Sequence, residues 1–110
     1  MRLHPKPFSL MKNGDKTIEL RLYDEKRRLI SVGDEIEFIN TSMHEDRLLC
    51  EVLDVHLFAS FKELYDALPL LKCGYTKENL KNASYIDMKD YYTSEEEAKY
   101  GVVGIELKIL

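Results

Sequence analysis

A chain of 110 residues, 45% of them hydrophobic, can bury one core of modest size and is too short for a second domain, so a single domain over residues 1–110 is expected. Its formal net charge of −4 excludes a protein that coats nucleic acid indiscriminately by neutralising phosphates. No apolar run reaches the roughly 18 residues of a membrane span, and the opening MRLHPKPFSLMKNG lacks the hydrophobic stretch of a signal peptide, which points to a cytoplasmic protein with no membrane partner. The charge is unevenly placed: residues 1–33 hold eight Lys/Arg against four Asp/Glu, whereas residues 34–110 hold eight against sixteen.

In chain order, MRL has the apolar-polar-apolar pattern of a short first strand. Pro5 restricts His4 to extended geometry and suits the first turn of a helix, predicted over 5–13, with Phe8, Leu10 and Met11 near one face and Gly14 as its C-terminal cap. From Thr17 to Tyr23 the residues alternate: Ile18, Leu20 and Leu22 face one way, and Thr17, Glu19, Arg21 and Tyr23 the other, predicting a strand with one core face and one polar face. Residues 24–30 read as a charged connection with a helical turn. Gly33-Asp34 signals a turn into a further strand, where Ile36 and Phe38 alternate with Glu35 and Glu37. Residues 40–46 are predicted to be a polar loop long enough to line a site, and RLLCEVLDVHLFA a long strand with a bend or bulge near its middle.

Ser60 is the predicted N-cap of a helix over 61–68, with Glu63 in the capping-box position, Phe61, Leu64, Tyr65 and Leu68 as its apolar stripe, and Pro69 limiting it. Weaker helical patterns cover 76–82 and 85–90. Ser94 is the predicted cap of a helix through Lys99, and the three acids at 95–97 suit a helix N-terminus rather than a metal site. Gly101 ends that helix, and VVGIELKIL, with Val103, Ile105, Leu107 and Ile109 alternating, reads as a final core strand. Cys50 and Cys73 are expected to be reduced, largely buried thiols. His4, His44 and His56 share neither an i, i+4 spacing nor a matching cysteine set, so no metal is expected.

Gly14, Lys16, Glu19 and Arg21 match the G-x-K-x-x-E-x-R signature of the ASCH family. The chain resembles that family along nearly its whole length: GDEIEF at 33–38 resembles its turn and following strand, FKELYDAL the helix after its long strand, and YTSEEEAKYGVVGIEL its closing helix and strand. The resemblance implies an α+β fold, a small PUA-like mixed β-barrel flanked by short α-helices, with a cleft bordered by the signature residues. It implies RNA, or a nucleotide or nucleoside derived from RNA, as the ligand class, and no cofactor.

Lys16 is read either as a cation at the mouth of that cleft, able to meet a phosphate or to accept a proton if partly buried, or as an ordinary surface lysine at a strand start. Glu19 and Arg21, two apart in a strand, share a face; they either frame a base, the guanidinium on phosphate or base-edge acceptors and the carboxylate on an exocyclic amine, or form a structural ion pair. Among Tyr23, Tyr91, Tyr92 and Tyr100 one is expected to stack on an unpaired base, with Tyr23 and Tyr92 as the ligand-contact candidates. Similarity to bacterial ASCH amidohydrolases of N4-acetylcytidine, which use a Lys, a nucleophilic Thr and a Glu, sets an enzymatic alternative, a nucleoside hydrolase or a ribonuclease, with Lys16 and Glu19 as the catalytic candidates. Against it, Glu19 occupies the position of the nucleophilic Thr, Thr17 lies on the opposite strand face from Lys16, and Glu78 is only a loose counterpart of the Glu. A third reading is a protein-interaction module that uses the acids at 95–97.

Overall fold

The computed structural model describes residues 1–110. Its single sheet has five strands, β1 (Arg2–Leu3), β2 (Ile18–Leu22), β3 (Glu35–Asn40), β4 (Met43–Phe58) and β5 (Val102–Ile109), in the spatial order β1-β3-β4-β5-β2. β1 runs parallel to β3 and every other pairing is antiparallel, so the sheet is mixed. It curls into a half-barrel whose open seam lies between the two edge strands, β1 and β2. Helices α1 (Pro5–Lys12), α2 (Phe61–Ala67) and α3 (Ser94–Tyr100), with short 3-10 turns, make the connections. No helix is long and apolar enough to cross a membrane.

The curl has a local cause. Sixteen residues of uninterrupted strand would span roughly 50 Å, yet the longest dimension of the molecule is 34 Å. β4 therefore bends, and it does so where its register to β5 slips between Val52 and Asp54, a bulge in the middle of the predicted long strand. Two cores lie on opposite faces of the sheet. Phe8 and Met11 of α1 pack with Leu3, Phe38, Val52 and Ile105 on one face, and Phe61 and Leu64 of α2 pack with Ile18, Leu20, Leu22 and Val102 on the other. Both cysteines are free and buried, one in each core.

Three expectations need correction. The polar stretch 40–46 is not a loop: β3 and β4 join through a tight turn at Thr41-Ser42, closed by Asn40 Oδ1 accepting from Ser42 N at 3.0 Å, and β4 begins at Met43. His44, Glu45 and Asp46 are polar because this end of the ribbon meets solvent, which a strand tolerates as readily as a loop. The second concerns the cap of α3, which is Thr93 rather than Ser94. Thr93 Oγ1 accepts from Glu96 N at 3.1 Å and Glu96 Oε1 accepts from Thr93 N at 3.0 Å, a reciprocal capping box. Ser94 also has an acid three residues on, but that acid, Glu97, is drawn away to accept from Phe61 N at 2.6 Å at the start of α2. Replacing Thr93 by alanine should therefore destabilise the domain by about 1 kcal/mol in urea unfolding, whereas Ser94→Ala should stay within about 0.5 kcal/mol. Lastly, Ser60 Oγ accepts from Glu63 N at 3.2 Å as expected, but Glu63 reaches back to Ala59 N rather than to Ser60 N, so the box on α2 is half formed.

Candidate functional site

An open cleft of about 590 Å³ occupies the seam between β1 and β2. Lys6, Pro7 and Leu10 of α1, with Arg2 and His4, form one wall; Tyr65, Tyr75, Asp87, Tyr91 and Tyr92 form the other; Lys16, Glu19 and Arg21 lie between them.

Gly14 takes φ 84°, a left-handed conformation that ends α1 and turns the chain toward β2. The amides of Asp15 and Lys16 both donate to Leu10 O, at 2.9 and 3.0 Å, which sets the direction of that turn. Lys16 precedes the strand proper, so it is not held to the strand alternation and its side chain meets Glu19 three residues on. Within β2, Glu19 opposes Ile105 and Arg21 opposes Val103, placing the charged pair on the face of the α1 core. The face opposite Ile18, Leu20 and Leu22 is thus not a solvated one.

The three charges form one buried cluster. Lys16 Nζ lies 3.1 Å from Glu19 Oε1 and donates to Cys73 O at 2.9 Å, while Arg21 Nε donates to Glu19 Oε2 at 2.9 Å and Nη2 lies 2.8 Å from the same oxygen. Arg21 Nη2 also donates to Arg2 O at 2.7 Å, so the guanidinium bridges from one edge strand to the other across the seam. Lys16 is 6% exposed and Glu19 5%. Burial works against the Arg21 charge, but Glu19 beside it more than offsets this and raises the pKa. Gly74, beside Lys16, takes φ 114°, a backbone conformation that side-chain-bearing residues rarely adopt.

Two cations against one carboxylate leave the cluster with a net charge of about +1, and its donors are not exhausted. Lys16 has three N–H bonds and two partners, and the hydrogen bonds of Arg21 to Glu19 and to Arg2 O are made through Nε and Nη2, leaving Nη1 outside them. Tyr92 stacks on Phe61 with centroids 5.8 Å apart, and burial pushes its phenol up against the pull of Arg21. Cys73 also lines the cleft, and burial pushes its thiol up to about 11 despite Lys16 nearby, which makes it a poor nucleophile.

Lys16, Glu19, Arg21 and Tyr92 are thus brought together as the sequence suggested, and Tyr91 joins them, 61% exposed at the rim. Lys16 is not at the mouth of the cleft, however; the ion pair with Glu19 and the Cys73 carbonyl draw it inside. Tyr23 is a correction: it does not line the cleft, because its ring packs against the α1 core and lies under the Arg28 guanidinium, 4.7 Å from the centroid. Tyr100 packs against the α2 core, and neither Glu78 nor the 40–46 stretch reaches the cleft. Thr17 lines a separate, smaller hollow with Leu107 and Ile109. Tyr65 read as a core position of its helix, and Tyr75, Asp87, Arg2 and Lys6 carried no local signal, since the seam assembles them from distant parts of the chain.

The model of the ASCH domain family matches residues 1–110. The chain belongs to the ASCH domain family. Among solved structures, this ASCH domain is 33% identical to the hypothetical protein PH0355, covering 100% of this chain and 96% of that one with a TM-score of 0.79. It is 32% identical to protein PF0455 from Pyrococcus furiosus, covering 100% and 98% with a TM-score of 0.71. A crystal structure of ASCH from Zymomonas mobilis shares the fold, with a TM-score of 0.67 at 15% identity, over 98% of this chain and 64% of that one. No curated protein matches the chain. The half-barrel with short helices is the PUA-like architecture that the resemblance implied for this ASCH domain.

Proposed function

We propose that this ASCH domain binds single-stranded RNA and takes one unpaired nucleotide into the seam cleft. The observation that carries this reading is the buried Lys16–Glu19–Arg21 cluster, with its net positive charge and spare donors, inside a cavity walled on one side by tyrosines. A ligand that meets such a site offers acceptors to the cations and a flat face to the rings, as a nucleotide does. Each base–aromatic stack contributes about 1 to 3 kcal/mol. At the rim, Arg2 and Lys6 line the cleft without a salt-bridge partner, whereas Lys12 is paired with Asp46 at 3.5 Å and Arg27 with Asp24 at 3.1 Å. The positive first third of the chain is therefore partly neutralised in the fold, and the cleft keeps the cations that remain free to meet phosphate.

Catalysis is the weaker reading. No Ser or Thr lines the cleft, Cys73 holds its proton, and both oxygens of Glu19 are engaged by Lys16 and Arg21. The acids at 95–97 are largely occupied at helix starts, Glu96 in the cap of α3 and Glu97 on Phe61 N, which leaves little for a protein-binding patch there.

Fluorescence titration of a labelled single-stranded RNA at several salt concentrations tests the proposal. Lys6→Ala and Arg2→Ala should each weaken binding and flatten the slope of log K against log salt by about 0.7, with the melting temperature unchanged for Lys6→Ala. Absence of binding at low salt, or affinity and slope untouched by both rim substitutions, would sink the reading.

A further inference from the structure

On the cleft wall opposite α1, three side chains outside the family signature form a hydrogen-bonded chain with a determined direction. Tyr65 on α2 and Tyr75, just after Gly74, bring their hydroxyl oxygens to 2.7 Å, and the Tyr75 hydroxyl lies 2.7 Å from Asp87 Oδ2. A carboxylate only accepts, so the single proton of Tyr75 goes to Asp87; the Tyr75 oxygen must then accept from Tyr65, whose own single proton is thereby committed. Burial pushes both phenols up, Tyr75 strongly, with the hydrogen bonds to Tyr65 and Asp87 adding to its shift, so both protons stay in place at neutral pH. None of the three groups has a hydrogen left to donate. Asp87 Oδ2 also accepts from Ser84 N at 3.3 Å, and Asp87 Oδ1 has no partner within the chain.

Lys16 and Arg21 supply donors to the cleft, and the Tyr65–Tyr75–Asp87 chain supplies acceptors only, whereas its neighbours Asn79, Tyr91 and Tyr92 keep an amide or hydroxyl hydrogen to donate. Resting on the nucleotide-binding reading above, we infer that a base edge set against this three-residue chain is selected for an exocyclic amine over its keto counterpart, cytosine over uracil and adenine over hypoxanthine. An amine donates to the free lone pairs of the chain. A keto oxygen in the same place brings lone pairs against lone pairs and finds no hydrogen, which rejects it by repulsion as well as by a missing bond. Asp87 is solvent-exposed, so water competes with the ligand and the discrimination is far smaller than in a sealed pocket.

Titrations of the full chain with CMP against UMP, and with AMP against IMP, followed by NMR or calorimetry at low salt, test this. Each pair exchanges an amine for a keto oxygen, and the adjacent ring nitrogen from acceptor to N–H donor, with little change of shape. The amino nucleotide should bind about tenfold more tightly in each pair, an advantage of about 1.4 kcal/mol. Asp87→Asn, whose amide can donate as well as accept, should bring both ratios within about twofold. Tyr75→Phe should also lower them, because it releases the Tyr65 proton for a keto oxygen while Asp87 stays in place. Wild-type protein that binds both members of each pair within twofold overturns the inference and leaves RNA binding standing, and so does retention of the wild-type ratios by both variants. If none of the four nucleotides and no single-stranded RNA binds, the nucleotide reading fails and takes this inference with it. Should a variant fail to fold, the wild-type ratios alone decide.

Discussion

Glu19→Ala should destabilise the domain by about 3 to 5 kcal/mol in urea unfolding, because it removes the one carboxylate that two buried cations share. For 110 residues that corresponds to a fall in melting temperature of roughly 13 to 22 °C. In the native protein Glu19 Oε1 faces Lys16 and Oε2 faces Arg21, at 3.1 and 2.8 Å, with both Lys16 and Glu19 almost wholly buried. Without it, Lys16 keeps only the Cys73 carbonyl and Arg21 only the Arg2 carbonyl. The seam bond between β1 and β2 then has to hold a guanidinium with no counter-charge. A triple replacement, Lys16→Met with Glu19→Leu and Arg21→Met, removes all three charges together and should come much closer to wild-type stability, since apolar groups of similar volume have no desolvation penalty. It should nevertheless abolish RNA binding. That contrast separates the cluster's two tasks, and a Glu19→Ala cost below about 1 kcal/mol would show that water reaches the cluster freely.

The second large effect is expected at Phe8, which is 1% exposed in the α1 core. Phe8→Ala should lower stability by about 3 to 5 kcal/mol through lost burial and the cavity left behind. It should also weaken RNA binding measured well below the midpoint of unfolding. The reason is geometric: α1 has eight residues, and its two faces carry different loads, Phe8 and Met11 toward the core and Lys6, Pro7 and Leu10 toward the cleft. Loosening the anchored face moves the other. Val52→Ala on β4 is the matching control, since Val52 is fully buried in the same core but β4 contributes nothing to the cleft wall. Its affinity should stay at the wild-type value while its stability falls.

Much of the architecture was legible where its cause is local. The alternation of Val103, Ile105 and Leu107 marks β5, Pro5 and Gly14 bracket α1, and the mixed apolar run around Leu53 marks a long strand with a bulge; each signal lies within a few residues of its effect. Local signals misled where two readings shared one pattern. Polar residues at 43–46 suit a solvent-facing strand as well as a loop, and Thr93 and Ser94 each have an acid three residues on. Glu97, recruited by Phe61 some 36 residues away, decides the second case.

At the site, the spacing of Glu19 and Arg21 by itself determined that their two charges would share one face near one strand edge, because residues two apart in a strand point the same way. Whether that edge meets water or protein was decided by tertiary structure alone. Lys16 is drawn inward by a carbonyl 57 residues away, and Arg21 by one 19 residues before it. The strand order β1-β3-β4-β5-β2 brings the first and second strands to opposite ends of the sheet, and its curl then turns those ends toward each other. Tyr65, Tyr75 and Asp87 become neighbours of the signature only after that curl, so no periodicity or spacing along the chain could have announced them.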